Sequence, residues 1–408
     1  MDSSIFKGRR ERLGNSLENG DIVIIFSASE PEGISRFLQN NNFLYLTGIV
    51  DVSEAILALT KTNDKINEML FIKRNIPERI VWDGAKMYPE EAKELSGIDN
   101  IKFVDEFDDI ILGNLFVSKK VYINAGLQQL KKPLTPALFF ISKVRDRIIH
   151  LSFHDVNQLM MPLRQFKEQI EIDNLSKAIE ITGIGLDSIF KNAKAGMYEY
   201  ELEAMLFYEM RRRGLTHFGF APIIACGVNA TTLHYIDNDT QIKDNELVLC
   251  DVGALFNNYS ADITRTFPIG DKFTNRQKEV YSAVLNVQKT IIEMIKPGVG
   301  MTDLNQKTGE LIGEACMKLG LINDPKDYRK YYMHSIGHHL GMDTHDLGPR
   351  DSILKEGMVI TVEPGIYIPE EKIGVRIEDD ILVTAEGYKN LSFMIPKEIE
   401  ELEALRRK

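Results

Sequence analysis

Four short stretches of this chain set a carboxylate at the edge of an apolar, β-branched run: VLCDVGA at Asp251, SADITRTFP at Asp262, VITVEPGIY at Glu363 and VRIEDDILV at Glu378. Runs of this kind fold as buried strands. A buried carboxylate is too costly to keep unless it meets a cation or a metal. The chain must therefore fold so that these acids find positive charge. A fifth stretch, HSIGHHLG, offers the imidazole of His338. Four carboxylates and one imidazole suit a pair of divalent ions, because oxygen ligands favour Mg or Mn and one His biases the site toward transition metals. The expectation is a hydrolase that activates water on metal.

Each acid also has a plainer reading. Asp251 and Asp262 flank the turn signal Asn257-Asn258, so a hairpin would put them on one face as diagonal neighbours. Two solvated strand aspartates would fit as well. Glu363 and Glu378 could simply form a salt bridge, for instance with Arg376. The histidines are more pointed. Four of the chain's eight, His334, His338, His339 and His345, fall within twelve residues. His334 and His338 would share a face on a helix, but Gly337 and Gly341 make a tight loop an equal alternative. His234, in LHYIDN, is a candidate outside the cluster. HEXXH, GXSXG and phosphate-loop motifs are absent.

The chain divides near residue 158. Residues 1–157 read as α/β, with strands at 22–26, 55–60, 69–73 and 121–124 and a helix at 89–96. Residues 158–408 open with helical periodicity at Ile172, Leu175, Ile179, Leu186 and Ile189, followed by a second helix at 200–213. There is an internal echo: Lys-Ala-Gly196 before EYEL and Lys-Pro-Gly298 before a segment ending TDL, each closing one helix and opening another. After each helix pair comes a β-rich stretch with two of the carboxylates. A duplicated half, folded about a pseudo-two-fold axis, would bring the pairs face to face.

Composition removes several classes. At 44% hydrophobic and 27% charged residues the chain is ordinary for a globular protein, and a net charge of -11 argues against nucleic acid. Apolar runs are too short to span a bilayer. Cys226, Cys250 and Cys316 show no paired spacing, and the N-terminus shows no secretory pattern. A cytoplasmic, reducing location is expected.

Together these stretches resemble the pita-bread metallopeptidases, which include aminopeptidase P, Xaa-Pro dipeptidase and methionine aminopeptidase. FLQNNNFLYLTGIVDVSEAILAL and the ending NLSFMIPKEIEELEAL are similar to aminopeptidase P in particular. The resemblance implies an α+β architecture: a C-terminal pita-bread domain of duplicated halves after an α/β, creatinase-like N-terminal domain. It implies two divalent ions, manganese first and cobalt or zinc as alternatives. Asp262 and Glu378 would bind both ions, Asp251 would complete one, and His338 with Glu363 the other. His234, His334 and His345 match substrate-side histidines; Tyr367 and Arg376 match positions just behind the ligands. Glu363 would shuttle the proton, His345 would steady the carbonyl oxygen, and His234 would orient the peptide. The substrate implied is a peptide with proline second, cleaved before the proline by a hydroxide bridging the ions. A Xaa-Pro dipeptidase is the runner-up, a non-catalytic peptide-binding relative a distant third, and metal-free creatinase-like chemistry is disfavoured by the full ligand set. A homodimer or higher oligomer is expected. Two departures stand out: Gly337 where many aminopeptidases P carry Ser, and His339 where some carry Trp. Trp82 matches a position that can approach a neighbouring subunit, or is a partly buried structural residue.

Overall fold

The computed structural model describes residues 2–407 apart from 32, 34 and 127–130. The chain forms two compact units, Met1–Leu163 and Arg164–Lys408.

The first unit is built on a mixed six-stranded sheet: β1 (Asp21–Phe26), β2 (Ile56–Thr62), β3 (Lys65–Ile72), β4 (Ile101–Phe103), β5 (Lys120–Ile123) and β6 (Ser152–Asp155), in the order β4-β3-β2-β1-β5-β6. β1 reads DIVIIF and is buried on both faces through its first five residues, as a central strand requires. The outer strands β4 and β6 were not expected from the sequence. They are three and four residues long and carry too little apolar pattern to be seen. Phe71, Phe107 and Phe140 gather with Ile22 and Ile24 under the helices Phe107–Val117 and Pro136–Arg145. Trp82, on the helix Pro77–Asp83, is 85% exposed, which overturns the reading of it as a partly buried structural residue.

The second unit repeats one design twice. Its first half pairs the helices Gln169–Asn192 and Glu199–Arg211, then adds β7 (Ile223–Cys226), β8 (Leu247–Val252), the short strands β9 (Leu255–Phe256) and β10 (Tyr259–Ser260), and β11 (Ile263–Pro268). The second half pairs the helices Asn275–Glu293 and Met301–Lys318. Then follow β12 (Val359–Val362), β13 (Gly365–Ile368), β14 (Ile373–Arg376), β15 (Asp379–Val383) and β16 (Tyr388–Asn390). The repeat is visible bond by bond. Gly196 (φ +90°) donates to Ile242 O at 2.9 Å, and Gly298 (φ +92°) donates to Leu354 O at 2.9 Å. Ile242 N–H returns to Met197 O, and Leu354 N–H returns to Val299 O, both at 2.8 Å. Both glycines need the left-handed backbone that a side chain would strain. The pita-bread α+β fold expected from the sequence is therefore the fold observed. Among the described residues, no helix is long and apolar enough to cross a membrane.

Candidate metal centre

The hairpin of the first half places two carboxylates together. Asn257 and Asn258 both take positive φ (49° and 61°), the pairing that a tight β-hairpin turn demands. In the resulting register Asp251 lies opposite Thr264, so Asp262 is its diagonal neighbour on the same face. The second half does the same with β12 and β15: Glu363 follows Val362, which pairs with Asp379, the residue after Glu378. The segment carrying the histidines lies along β12. Thr361 N–H donates to His338 O at 3.0 Å and Glu363 N–H to Ile336 O at 2.8 Å. It is neither a helix nor a free loop but an extended strand substitute, and His334 and His338 both reach the same cavity from it.

Asp262, His338 and Glu378 can bring one ligand atom each within 4.8 Å of one another, the one such group among the described residues. His338 Nε2 lies 3.3 Å from Asp262 Oδ2 and 3.6 Å from Glu363 Oε1. Its Nδ1 faces His339 O at 3.0 Å; a carbonyl can only accept, so Nδ1 donates there and Nε2 is the nitrogen turned to the carboxylates. Asp251 closes the group through Arg376, whose Nη2 is 2.6 Å from Asp251 Oδ2. The other oxygen, Asp251 Oδ1, is buried and has no hydrogen-bond partner among the described residues.

The electrostatics ask for more cation than the protein supplies. Burial and then the charge of Asp251 push Asp262 well above the carboxylate range. Glu378 is pushed up by burial and by Asp262, Glu363 and Asp251. Burial raises Glu363 to about 7. Clustered buried acids behave in this way when no cation lies between them. The orphaned Asp251 oxygen, the imidazole Nε2 turned toward the acids and the crowded carboxylates together fit a pair of divalent ions.

A cavity of about 990 Å³ opens over this group. His234, His334, His338, His345, Asp251, Asp262, Glu363, Arg376 and Glu378 all line it, so nine of the ten residues singled out in the sequence share one space. Tyr367 is buried behind the wall: its hydroxyl is 2.8 Å from His334 Nε2 and accepts from Arg376 Nη1 at 3.0 Å. His334 Nδ1 faces Ser335 O at 2.8 Å, so Nε2 accepts from Tyr367, and burial pulls the ring down to about 4, leaving it neutral. His345 is lowered by burial and by the neighbouring His338. The two departures have structural roles. A Cβ at Gly337 would come 2.0 Å from Thr361 O, and His339 is buried with Nε2 2.9 Å from Ser352 Oγ.

Three supporting residues escaped the sequence. Thr264 Oγ1 donates to Glu378 Oε2 at 2.6 Å and accepts from Arg376 Nε at 3.1 Å. Thr361 Oγ1 accepts from His338 N–H at 3.1 Å. Asp380 Oδ2 accepts from Asp262 N–H at 3.2 Å. The run Glu378-Asp379-Asp380 inside an apolar strand was the one available sign for the last of these; threonines in strands give none.

Fold and site define a two-halved metal-dependent peptidase. The sequence model of metallopeptidase family M24 matches residues 173–385, and that of the aminopeptidase P N-terminal domain matches residues 6–122. Xaa-Pro aminopeptidase 3 of Dictyostelium discoideum is 36% identical over 98% of this chain and 82% of its own length. The Xaa-Pro aminopeptidase of Escherichia coli is 31% identical over 98% and 97%. Among solved structures, a Bacillus anthracis protein assigned as an aminopeptidase P superposes with a TM-score of 0.96 at 41% identity, covering 100% of this chain and 99% of that one. Escherichia coli aminopeptidase P with the inhibitor Pro-Leu gives 0.91 at 30% identity, covering 100% and 98%. The chain belongs to metallopeptidase family M24.

Proposed function

We propose that this chain is a Xaa-Pro aminopeptidase, releasing the first residue of peptides whose second residue is proline. The observation that carries the proposal is the floor of the cavity, where four carboxylates and one imidazole converge from two equivalent halves. Relatives named for this activity span almost the whole chain.

Asp262 and Glu378 would hold both ions, Asp251 one of them, and His338 with Glu363 the other. When bound, such a pair supplies a water acidified toward neutrality and an electrophile for the scissile carbonyl. The oxygen-rich donor set favours manganese, with cobalt or zinc as alternatives. Glu363, at the edge of the carboxylate group, would take a proton from the attacking water and give it to the leaving nitrogen. His345, held neutral, offers an N–H to the carbonyl oxygen. His234 stands on the same cavity wall to orient the peptide. His334 has both nitrogens engaged, so it acts by linking Tyr367 and Arg376 to the site rather than by moving a proton. The proline nitrogen has no N–H to donate, and what the ring needs is an apolar wall. Phe220, Ile223, Leu233, Ile236, Met301 and Met333 line the cavity and can supply it.

The division of labour is part of the same proposal: residues 158–408 carry the chemistry and residues 1–157 form the N-terminal domain. Three free, buried cysteines suit a reducing cytoplasm. A homodimer or higher oligomer would cover the exposed Trp82. The test is cleavage of a Xaa-Pro dipeptide and a Xaa-Pro-Yaa tripeptide with added Mn, against a chelator control. Tripeptide cleavage abolished by chelator supports the proposal. Cleavage of the dipeptide alone turns it into a dipeptidase, and metal-dependent activity on neither sinks it.

A further inference from the structure

His345 has no tether of its own. Its ring meets that of His338 edge-on, 4.3 Å between centroids, and among the described residues it makes no hydrogen bond. Its place in the cavity is set by its backbone, and that backbone is pinned at the next residue. The buried Asp346 carboxylate takes Arg164 Nη2 at 2.6 Å, Lys167 Nζ at 3.1 Å and the Leu347 N–H at 2.9 Å. The Asp346 N–H donates to His339 O at 2.9 Å. Arg164 also reaches Asp343, two residues before His345, at 2.6 Å. The loop is packed around this carboxylate: a Cβ at Gly341 would lie 2.0 Å from Asp346 Oδ2. Lys167 is held in turn by its backbone N–H, which donates to Gly357 O at 2.8 Å.

We propose that Arg164 and Lys167 are positioning residues that act through Asp346 to hold His345 where it meets the substrate carbonyl. Both precede residues 173–385, the part of the chain that the metallopeptidase family matches. The inference rests on the peptidase reading of the cavity. Burial pushes Asp346 up, but Arg164 and then Lys167 hold it below the usual carboxylate range, so the anchor stays ionised. Arg164 and Lys167 face Asp346 and Asp343, two cations against two anions. Asp343 is half exposed, so removing Arg164 leaves Lys167 and Asp346 as the one buried pair, but it takes away the 2.6 Å bond to Asp346 and the 2.6 Å tie to Asp343 that hold the loop on both sides of His345.

The test compares the full-length, metal-loaded chain with Arg164→Met, Arg164→Lys, His345→Ala and the Arg164→Met/His345→Ala pair. Arg164→Met should lower kcat roughly 10–100-fold with KM changed by less than about threefold, the size of loss expected from a misplacement of about 1 Å. Arg164→Lys should recover part of it. In the His345→Ala background, Arg164→Met should cost less than about twofold more, because residues acting as one unit are not additive. In the metal-free chain, the imidazole NMR signal that His345→Ala removes should move in Arg164→Met and return toward its place in Arg164→Lys. The same loss of kcat with and without His345, or an unmoved His345 signal, overturns the proposal. If Arg164→Met does not fold, Lys167→Met takes its place with the same readouts. A parent chain that cleaves no Xaa-Pro peptide sinks the peptidase reading, while the NMR signal still decides the positioning.

Discussion

Glu363→Gln in the metal-free chain isolates the electrostatic cost of the centre. Burial moves Glu363 from its ordinary 4.5 to about 7. Between those values the folded chain keeps a proton that the unfolded chain has released, so stability falls as pH rises. The difference of about 2.5 pH units, at about 1.36 kcal/mol each, gives roughly 3 kcal/mol in all, most of it between pH 5 and pH 8. Glutamine cannot ionise. The substitution should therefore become more stabilising, relative to the parent, by roughly 2–3 kcal/mol from pH 5 to pH 8. His334 and His339, both pulled down to about 4 by burial, change stability in the opposite sense, but they are common to both chains and drop out of the difference. The assay is urea unfolding of parent and variant at the two pH values with chelator present. With ions in excess the order should reverse, because glutamine is the weaker ligand. A parent–variant difference that moves by less than about 1 kcal/mol, or moves the other way, refutes the account of a crowded carboxylate site.

Two further substitutions probe the frame of the site. Thr264→Val keeps the shape of a side chain whose hydroxyl bonds both Glu378 and Arg376, and should weaken ion binding roughly 10–100-fold by titration calorimetry; an affinity unchanged within about twofold would mean that Glu378 is placed without it. Arg265 is fully buried. It donates to Thr264 O at 2.9 Å and Glu378 O at 2.5 Å, pairs with Asp379 at 2.7 Å, and reaches Ile395 O and Pro396 O at 3.0 Å. Arg265→Met should cost about 3–5 kcal/mol in urea unfolding, and a loss under about 1 kcal/mol would show that Lys397, Asn390 and Ser392 satisfy Asp379 without it.

What the sequence made legible follows from how local each feature is. The hairpin joining Asp251 to Asp262 could be read because its turn, Asn257-Asn258, lies between them and fixes the register. The start of the second helix, read at 200 and observed at Glu199, was legible because Gly196 sits just before it. The supporting network could not. Arg164 and Lys167 meet Asp346 from 182 and 179 residues away, and no spacing announces such a pair. Thr264 and Thr361 look like ordinary strand threonines until their hydroxyls are placed. The proposed ligands come through resemblance to known motifs; the geometry adds that residues 112 apart, Asp251 near the end of β8 and Glu363 just past β12, occupy corresponding places in the two halves.

That equivalence has a consequence for stability. On the proposed ligand set neither half would hold the ions alone, because each offers only two of the four carboxylates. A ligand held by both halves stabilises only the state in which both are folded. Ions at about 100 times their Kd should add about 2.7 kcal/mol per ion, roughly 5 kcal/mol for the pair, to the unfolding free energy of the C-terminal unit. In hydrogen exchange this extra protection should appear equally in β8 and β12, the strands that lead to Asp251 and Glu363. Protection confined to one of the two strands would mean that the halves open independently, and the centre could not then be shared between them.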